Sequence, residues 1–323
     1  MRASLKALAA VAAVTALALT GCSSSGGDSD AAPKVIAFTS GNQTPIGGWW
    51  LNNTEAQGTE LGWDVSAIAG DFDFQKMNPA VESAIGQGAD VVYNGFTDIA
   101  SIASIVTASQ DAGIPMFAID AGTEPNDGYA LNITTDQQGI VDQTLGAISD
   151  AIGGLDGKTI MVIGHDPHAG IRMRSGLAAD DIVAAGGTLA GGAIQQVVSP
   201  ATGRTEALAL VADFITANPG VLDAVWVGWD DAALGAVQAI SEAGADAVVT
   251  GCDATSEAIA AVEAGTMLAT VEQPWPSIND TIMDAISEYL ATGTLPDSNF
   301  EMVATTLVTQ ANAADITPSD QLG

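Results

Sequence analysis

Basic residues are scarce in this 323-residue chain, where 8 Lys+Arg stand against 39 Asp+Glu for a formal net charge of −31 at pH 7. With so few cations there is little to replace DNA counterions, which excludes nucleic acid as a partner, and anionic lipid head groups would repel such a surface. The acids are dispersed, as on a solvated surface suited to solubility or high salt, rather than gathered in a binding tail. Cysteine is rarer still, with Cys22 and Cys252 the 2 present. With Cys22 committed to lipid, as argued below, Cys252 has no disulfide partner and reads as a small buried hydrophobe. Histidine also occurs only twice, as His165 and His168 in "HDPH". No cysteine lies near that pair and a proline divides it, so it reads as a loop pair rather than a metal site. "GGLDGKT" (153–159) has the wrong spacing for a phosphate loop and precedes a strand where such a loop would follow one. Asp230 and Asp231 are adjacent, so their side chains diverge, and no nucleophile–base set accompanies them. No enzyme activity, cofactor or metal is expected.

What is present begins with Arg2 and Lys6 flanking the apolar "ALAAVAAVTALAL", too short to span a bilayer comfortably and ending in "LTGC". This reads as an export signal over residues 1–21. The small residues before Cys22 resemble the bacterial lipoprotein signal, in which the cysteine is acylated and becomes the new N-terminus; several acyl chains together anchor stably, where one is marginal. Residues 22–33 contain the small, polar "SSSGGDSDAAP", with nothing to bury, and read as a flexible tether. The expected location is the extracytoplasmic face of a cell membrane.

From residue 34, short β-rich apolar runs alternate with longer helical patterns, the signature of βαβ units around a parallel sheet. Strands are expected at 34–40, 64–70, 90–95 and 114–120, with helices near 48–61, 76–87 and 98–112; Gly62, Gly88 and Gly113 sit where helix C-caps belong. A second series has strands at 159–165, 192–199, 223–229 and 246–252 and helices near 136–152, 170–186, 203–218 and 231–243. Helix 277–291 and a final strand follow. The fold class is therefore α/β, with two doubly wound parallel-sheet lobes joined by a multi-crossing hinge at joins near 129–136, 268–276 and 299–306. One lobe takes 34–133 plus 274–302, the other 134–273 plus 303–312, and 313–323 is a tail. Open α/β sheets bind ligands outside the carboxyl ends of their strands, and a ligand between the lobes is the natural geometry.

Polar residues collect at those strand ends: Asn94, Asp120, Trp229 with Asp230, Asp253 and Gln273. A helix cap explains an aspartate such as Asp230 on its own, but explains Gln273 before Pro274, or Asp120 before a loop, less well. Aromatics make up 5% of the chain, yet Trp49, Trp50, Trp229 and Trp275 fall at loop or helix-start positions near strand ends, whereas Trp63 and Trp226 lie in strand-like surroundings. Indole faces against C–H faces, with carboxylates and amides reaching hydroxyls, would make a sugar site. Arg172 and Arg174 stand at a helix start, where a cation opposes the macrodipole; they serve either a ligand or an inter-helix ion pair.

The segments "GADVVYNGFTD", "AGIPMFAID", "GWDDAALGAVQAISEAG", "VTGCDATSEAIAAVEAGTMLATVEQ" and "NITTDQQG" resemble the type I periplasmic binding proteins, specifically the ribose- and galactose-binding branch that delivers sugars to ABC importers. The resemblance spans 34–310. It implies sugar contacts from Asp120 in "FAID", Asp253 in "TGCD" and Gln273 in "TVEQ", and from an arginine in "GIRMRSG", where the spacing favours Arg172 over Arg174. Ribose-like binders carry Asn-Asp before "ALGA"; here Trp229-Asp230 stand there, with Asp230 capping the helix and facing the cleft and Asp231 facing solvent. "GNQTPIGGWW" departs from the usual first loop, which makes Trp49 and Trp50 candidates by location. The resemblance thus implies a monomer that binds a sugar or related polyol and presents it to ABC permease subunits, held to membrane lipid through Cys22. A receptor lobe feeding a sensor kinase shares the fold, and a lipid-anchored glycoside hydrolase is the enzyme alternative.

Overall fold

A computed structural model describes residues 31–320. The expected signal peptide, Cys22, the tether up to residue 30 and residues 321–323 lie outside the described residues. From Ala32 onward the chain is one compact unit. It opens with β1 (Lys34–Thr39), α1 (Pro45–Glu60), β2 (Asp64–Ala69), α2 (Phe74–Gly86), β3 (Val91–Gly95), α3 (Ala103–Ala112), β4 (Met116–Ile119) and β5 (Leu131–Thr135). Next come α4 (Gln137–Ile152), β6 (Thr159–Gly164), α5 (Ala169–Ala184), β7 (Thr188–Leu189), β8 (Gln195–Gln196), α6 (Gly203–Ala217), β9 (Ala224–Val227), α7 (Asp230–Ala243), β10 (Val248–Thr250) and α8 (Ser256–Glu263). The chain closes with β11 (Thr270–Glu272), α9 (Trp275–Thr292), β12 (Phe300–Val303) and β13 (Thr306–Val308).

The first sheet runs β12-β5-β4-β3-β1-β2 and the second β10-β9-β6-β7 with β8 also on β6, while β11 and β13 form an antiparallel ribbon. Strand pairs within the two larger sheets are parallel. Parallel strands covered on both faces need apolar residues at successive positions, and β1 shows why. Val35 and Ala37 face a cluster with Trp50 and Leu51 of α1 and Ile278 and Ile282 of α9. Ile36 and Phe38 face the opposite cluster with Met77 and Val81 of α2 and Ile105 of α3. The second sheet repeats the scheme: Ile160 and Val162 turn toward α4 and α5, Met161 and Ile163 toward α6 and α7. Trp226 fits this interior because its indole N–H donates to Thr144 Oγ1 at 2.8 Å.

Local chemistry sets the helix ends. Thr44 caps α1 by accepting from Gly47 N–H at 3.1 Å, with Pro45 at the first helical position; Asp136 caps α4 by accepting from Gly139 N–H at 3.0 Å. Gly62, Gly88 and Gly113 follow their helices at φ of 83°, 86° and 69°, left-handed values that glycine adopts without a Cβ clash.

Several elements differ from the sequence expectation. The expected strand at 192–199 narrows to Gln195–Gln196, because Ala190–Gly192 form a short 3-10 turn with Gly191 and Gly192 at positive φ. Residues 129–136, expected as a join, contain β5, a strand buried along its length inside the first sheet. Leu131 and Ile133 pack into the core, and each of the three polar residues finds a partner: Asn132 accepts from Ala121 N–H and donates to Gly122 O, and Thr134 and Thr135 donate to Asp120 and Gln273. Helix α8 was not expected at all. The chain passes between the two larger sheets after β5, between β11 and α9, and after β12, where it continues into β13.

Candidate ligand-binding cleft

The carboxyl ends of both parallel sheets open onto one cavity of about 540 Å³. From the first sheet come Ser40 after β1, Phe96 and Asp98 after β3, and Asp120 after β4; from the second, His165 after β6 and Trp229 after β9. Asp253 follows β10 and Gln273 follows β11.

Asp120 is 3% exposed and sits at φ 48°, its N–H donating to Ile133 O at 2.9 Å. Its Oδ1 accepts from the Thr134 hydroxyl at 2.5 Å, and Oδ2 lies 3.6 Å from His168 Nε2. His168 Nδ1 accepts from Ile171 N–H at 3.3 Å as the cap of α5, so its proton sits on Nε2, aimed at Asp120. Burial pushes the His168 pKa down to about 4, with the Asp120 charge opposing the shift. His165 is the mirror case. Its Nδ1 lies 2.9 Å from Val197 O, which can only accept, so Nε2 keeps a lone pair; burial lowers its pKa also. The cleft thus holds one imidazole as donor and one as acceptor.

Arg174 is 3% exposed and locked, Nε donating to Gly228 O at 2.9 Å and Nη1 to Gln137 Oε1 at 3.0 Å, while Nη2 has no partner among the described residues. Gln273 ties the site to the inter-sheet crossings: its Oε1 accepts from Thr135 Oγ1 at 2.8 Å and its Nε2 donates to Asp253 Oδ1 at 2.7 Å. Burial, with the nearby Asp230 carboxylate, drives the Asp253 pKa well above the usual carboxylate range, and burial raises Asp230 to about 6. Apolar walls complete the cleft. Phe96 stands edge-on to Trp275, ring centroids 5.2 Å apart at 89°, and Trp229 borders the cavity beside His165. The buried indole N–H groups of Trp229 and Trp275 have no partner among the described residues. Of the non-glycine residues at positive φ, Phe72, Phe96, Asp120 and Asp253 all line the cavity. Strained backbone of this kind persists where the surroundings over-determine it, typically at functional sites.

The sequence-expected residues divide. Asp120, Asp253, Gln273 and Trp229 meet at the cavity. Asn94 does not line it: the residue is fully buried, and its amide donates to Thr97 O and Tyr129 Oη, bracing the loop after β3 from below. Trp49 and Trp50 lie inside α1 and pack on the core, Trp50 against Gly95, where a Cβ would lie 2.4 Å from the indole. Ile46 and Gly47, one turn earlier, reach the cavity instead. Arg172 gives way to Arg174, because the helical turn directs Arg174 inward and Arg172 toward Asp98. Asp230 neither caps α7 nor faces the cleft. It is fully buried behind the site, accepting from Thr255 N–H at 2.9 Å and Thr270 Oγ1 at 2.6 Å, while Asp231 borders the cavity and pairs with Arg204 Nε at 2.9 Å. Phe96, Asp98 and the two histidines were missed as cleft residues, although each directly follows a strand or starts a helix there, the signal that found Asp120.

Donors and acceptors face one another here across apolar ring faces, an arrangement suited to a ligand with many hydroxyls and exposed C–H surface. No group of three metal-ligating side chains occurs among the described residues, and no helix among them is long and apolar enough to cross a membrane.

Known proteins share this architecture. A D-apiose import binding protein of Paraburkholderia graminis is 25% identical over 295 residues, covering 90% of this chain and 91% of that protein. The ribose import binding protein of Bacillus subtilis is 25% identical over 238 residues, 73% of this chain and 74% of that protein. The crystal structure of an ABC transporter solute binding protein from Agrobacterium vitis with bound allitol superposes with a TM-score of 0.79 at 21% identity, covering 88% of this chain and 97% of that one. These relatives are binding proteins of transporters, not enzymes. Residues 36–294 match the family described as periplasmic binding protein domain, which is most of the chain, and the protein belongs to that family.

Proposed function

We propose that this protein is the extracytoplasmic binding component of an ABC importer, held to the membrane through acylated Cys22, and that it closes two lobes over a neutral sugar or polyol. The observation that carries the ligand class is the meeting of Asp120, Arg174 and Gln273 with the rings of Phe96, Trp275 and Trp229 in one cavity between the ends of two parallel sheets. Asp120 keeps lone pairs beyond the one Thr134 uses, and Arg174 Nη2 supplies donors, so adjacent hydroxyls find both partners. Charge in the cleft is largely compensated: Asp98 faces Arg172 and Asp231 faces Arg204, which favours an uncharged ligand. The relatives named for D-apiose and ribose import and the structure with bound allitol support this class. Binding energy need only favour the closed arrangement over the open one, and no bond is broken.

Calorimetric titration with D-apiose, D-ribose, xylitol, allitol and myo-inositol tests the reading. Saturable binding of at least one, abolished by Asp120→Ala, is the expected result; no heat from any, or binding indifferent to Asp120→Ala, overturns it. Labelling with a palmitate analogue, lost in Cys22→Ser, tests the anchor.

A further inference from the structure

The loop that delivers Asp253 and Thr255 to the cleft holds two consecutive non-glycine residues at positive φ, Asp253 at 131° and Ala254 at 53°. Such a loop relaxes unless its surroundings fix it. From the cleft side it receives the Gln273 amide. From behind, Asp230 Oδ2 accepts from both the N–H and the hydroxyl of Thr255, and Thr270 Oγ1 accepts from Ala254 N–H at 3.2 Å. The remaining side is closed by the end of the described chain. Ser319 N–H donates to Ala254 O at 3.0 Å, and Asp320 Oδ1 accepts from Ser256 N–H at 2.8 Å and Ser256 Oγ at 2.6 Å.

This contact is built, not incidental. Ser319 is 2% exposed, and Ala313 and Ile316 just before it pack into the core of the second sheet. Asp320 also supplies what α8 lacks. Thr255, the cap of that helix, reaches Ala258 N–H only at 3.4 Å, so the Ser256 N–H, one of the unpaired first-turn donors, depends on the Asp320 carboxylate. We infer that Ser319 and Asp320 are positioning residues for the cleft: the segment assigned by sequence to a tail is the back wall of the loop that presents Asp253. The inference rests on Asp253 being a ligand contact, as proposed above.

Two measurements on the full-length protein test it: amide hydrogen exchange over 252–260, which needs no ligand, and titration with the five sugars and polyols named above. Asp320→Ala should raise exchange across this segment and leave that of β1 and β3 unchanged, and should weaken binding by about three- to tenfold, the range for one lost charge-assisted hydrogen bond acting at one remove. Asp320→Asn keeps the Oδ1 acceptor and should restore both properties. A variant ending at Pro318, which retains Ala313 and Ile316, should loosen the loop further than Asp320→Ala. Unchanged exchange in Asp320→Ala, failure of Asp320→Asn to restore it, or a loosened loop with unaltered affinity would each overturn the assignment. If the wild type binds none of the ligands, the proposed ligand class fails, and the exchange data alone decide whether the loop is braced from this side.

Discussion

Arg172 on α5 and Asp98 after β3 meet across the cleft, Nη2 to Oδ2 at 2.8 Å, so that each sheet's lobe contributes one charge to a single ion pair. Arg172 also donates to Asp166 O, which fixes the guanidinium on its own side. Asp98 is 8% exposed and its other oxygen accepts from Ala100 N–H at 3.0 Å. The pair bridges the two lobes at the edge of the cavity that Asp98 lines, and so would favour the closed arrangement in the proposed closure. Arg172 is nearly half exposed, which keeps its value near that of a surface pair. Arg172→Ala is expected to weaken ligand binding by about two- to fivefold at low salt. Raising the salt should weaken wild-type binding and leave the variant unchanged; calorimetry at two ionic strengths distinguishes this from loss of a direct ligand contact, which would persist in high salt.

The two cleft aspartates should respond differently to an amide. Asp120 accepts from Thr134 and faces the Nε2 proton of His168, so an asparagine there satisfies one donor and turns its N–H₂ on the other. Asp253 Oδ1 already accepts from Gln273 Nε2, a contact that an asparagine oxygen keeps, and the same burial that raises the Asp253 pKa favours an uncharged group at this position. Asp120→Asn should cost about tenfold or more in affinity and Asp253→Asn under about threefold, while Asp253→Ala should resemble Asp120→Ala. Equal losses in the two asparagine variants, measured by titration, would contradict the assignment.

His168 gives the protein an acid-labile element. Its folded-state pKa, about 4, lies below the usual 6.5, so between those values the unfolded chain binds more protons than the folded one. Its contribution is complete above about pH 6.5 and is lost as the pH falls toward 4. Asp230 works against it: its pKa is raised to about 6, so the folded state binds more protons and stability falls as pH rises from about 4 to 6. Comparing the wild type with His168→Asn isolates the histidine. Thermal unfolding should show the wild type losing on the order of 2 kcal/mol relative to the variant between pH 7 and pH 4. A constant difference across that range would mean that His168 takes up its proton equally readily in the folded and unfolded protein, against the lowered pKa.

Gly203 sets the position of Trp229. A Cβ there would lie 2.7 Å from indole Cζ2, although the residue has ordinary helical φ and ψ and alanine suits a helix start better than glycine. Gly203→Ala should therefore push the ring rather than the backbone. The indole borders the cavity, so the variant is expected to bind bulkier polyols less well than smaller ones while its melting temperature changes by only a few degrees, near the shift for about 1 kcal/mol. An unchanged ligand order in paired titrations would show that Trp229 does not size the site.

Much of the fold was legible because parallel strands covered on both faces are apolar at successive positions, as "KVIAF" and "VWV" are. β5 escaped because three of the five residues of "LNITT" are polar, and the burial of Asn132, Thr134 and Thr135 rests on hydrogen bonds that no periodicity reveals. The strand-end rule placed Asp120, Asp253, Gln273 and Trp229 at the cavity, since it depends only on where strands stop. It failed for Asn94, which lies inside β3 where the chain has not yet left the sheet. Arg172 and Arg174 are two positions apart on a helix and point to different sides, so choosing between them required the helix phase. His165 and His168 were weighed as metal ligands and read as a loop pair, and the backbone groups that fix their tautomers come from residues with no sequence signature, Val197 and Ile171.

The unfavourable φ values at Phe96, Asp120 and Asp253 bear on redesign. Each of these side chains is aimed by its own backbone angles, so its orientation is inherited from the sheet that the loop leaves. Transplanting the cleft residues onto another scaffold would carry over their identities but not their aim. A change of specificity is better sought at Trp229, whose backbone is ordinary extended chain, than at 120 or 253, where a β-branched replacement would turn the loop before it turned the preference.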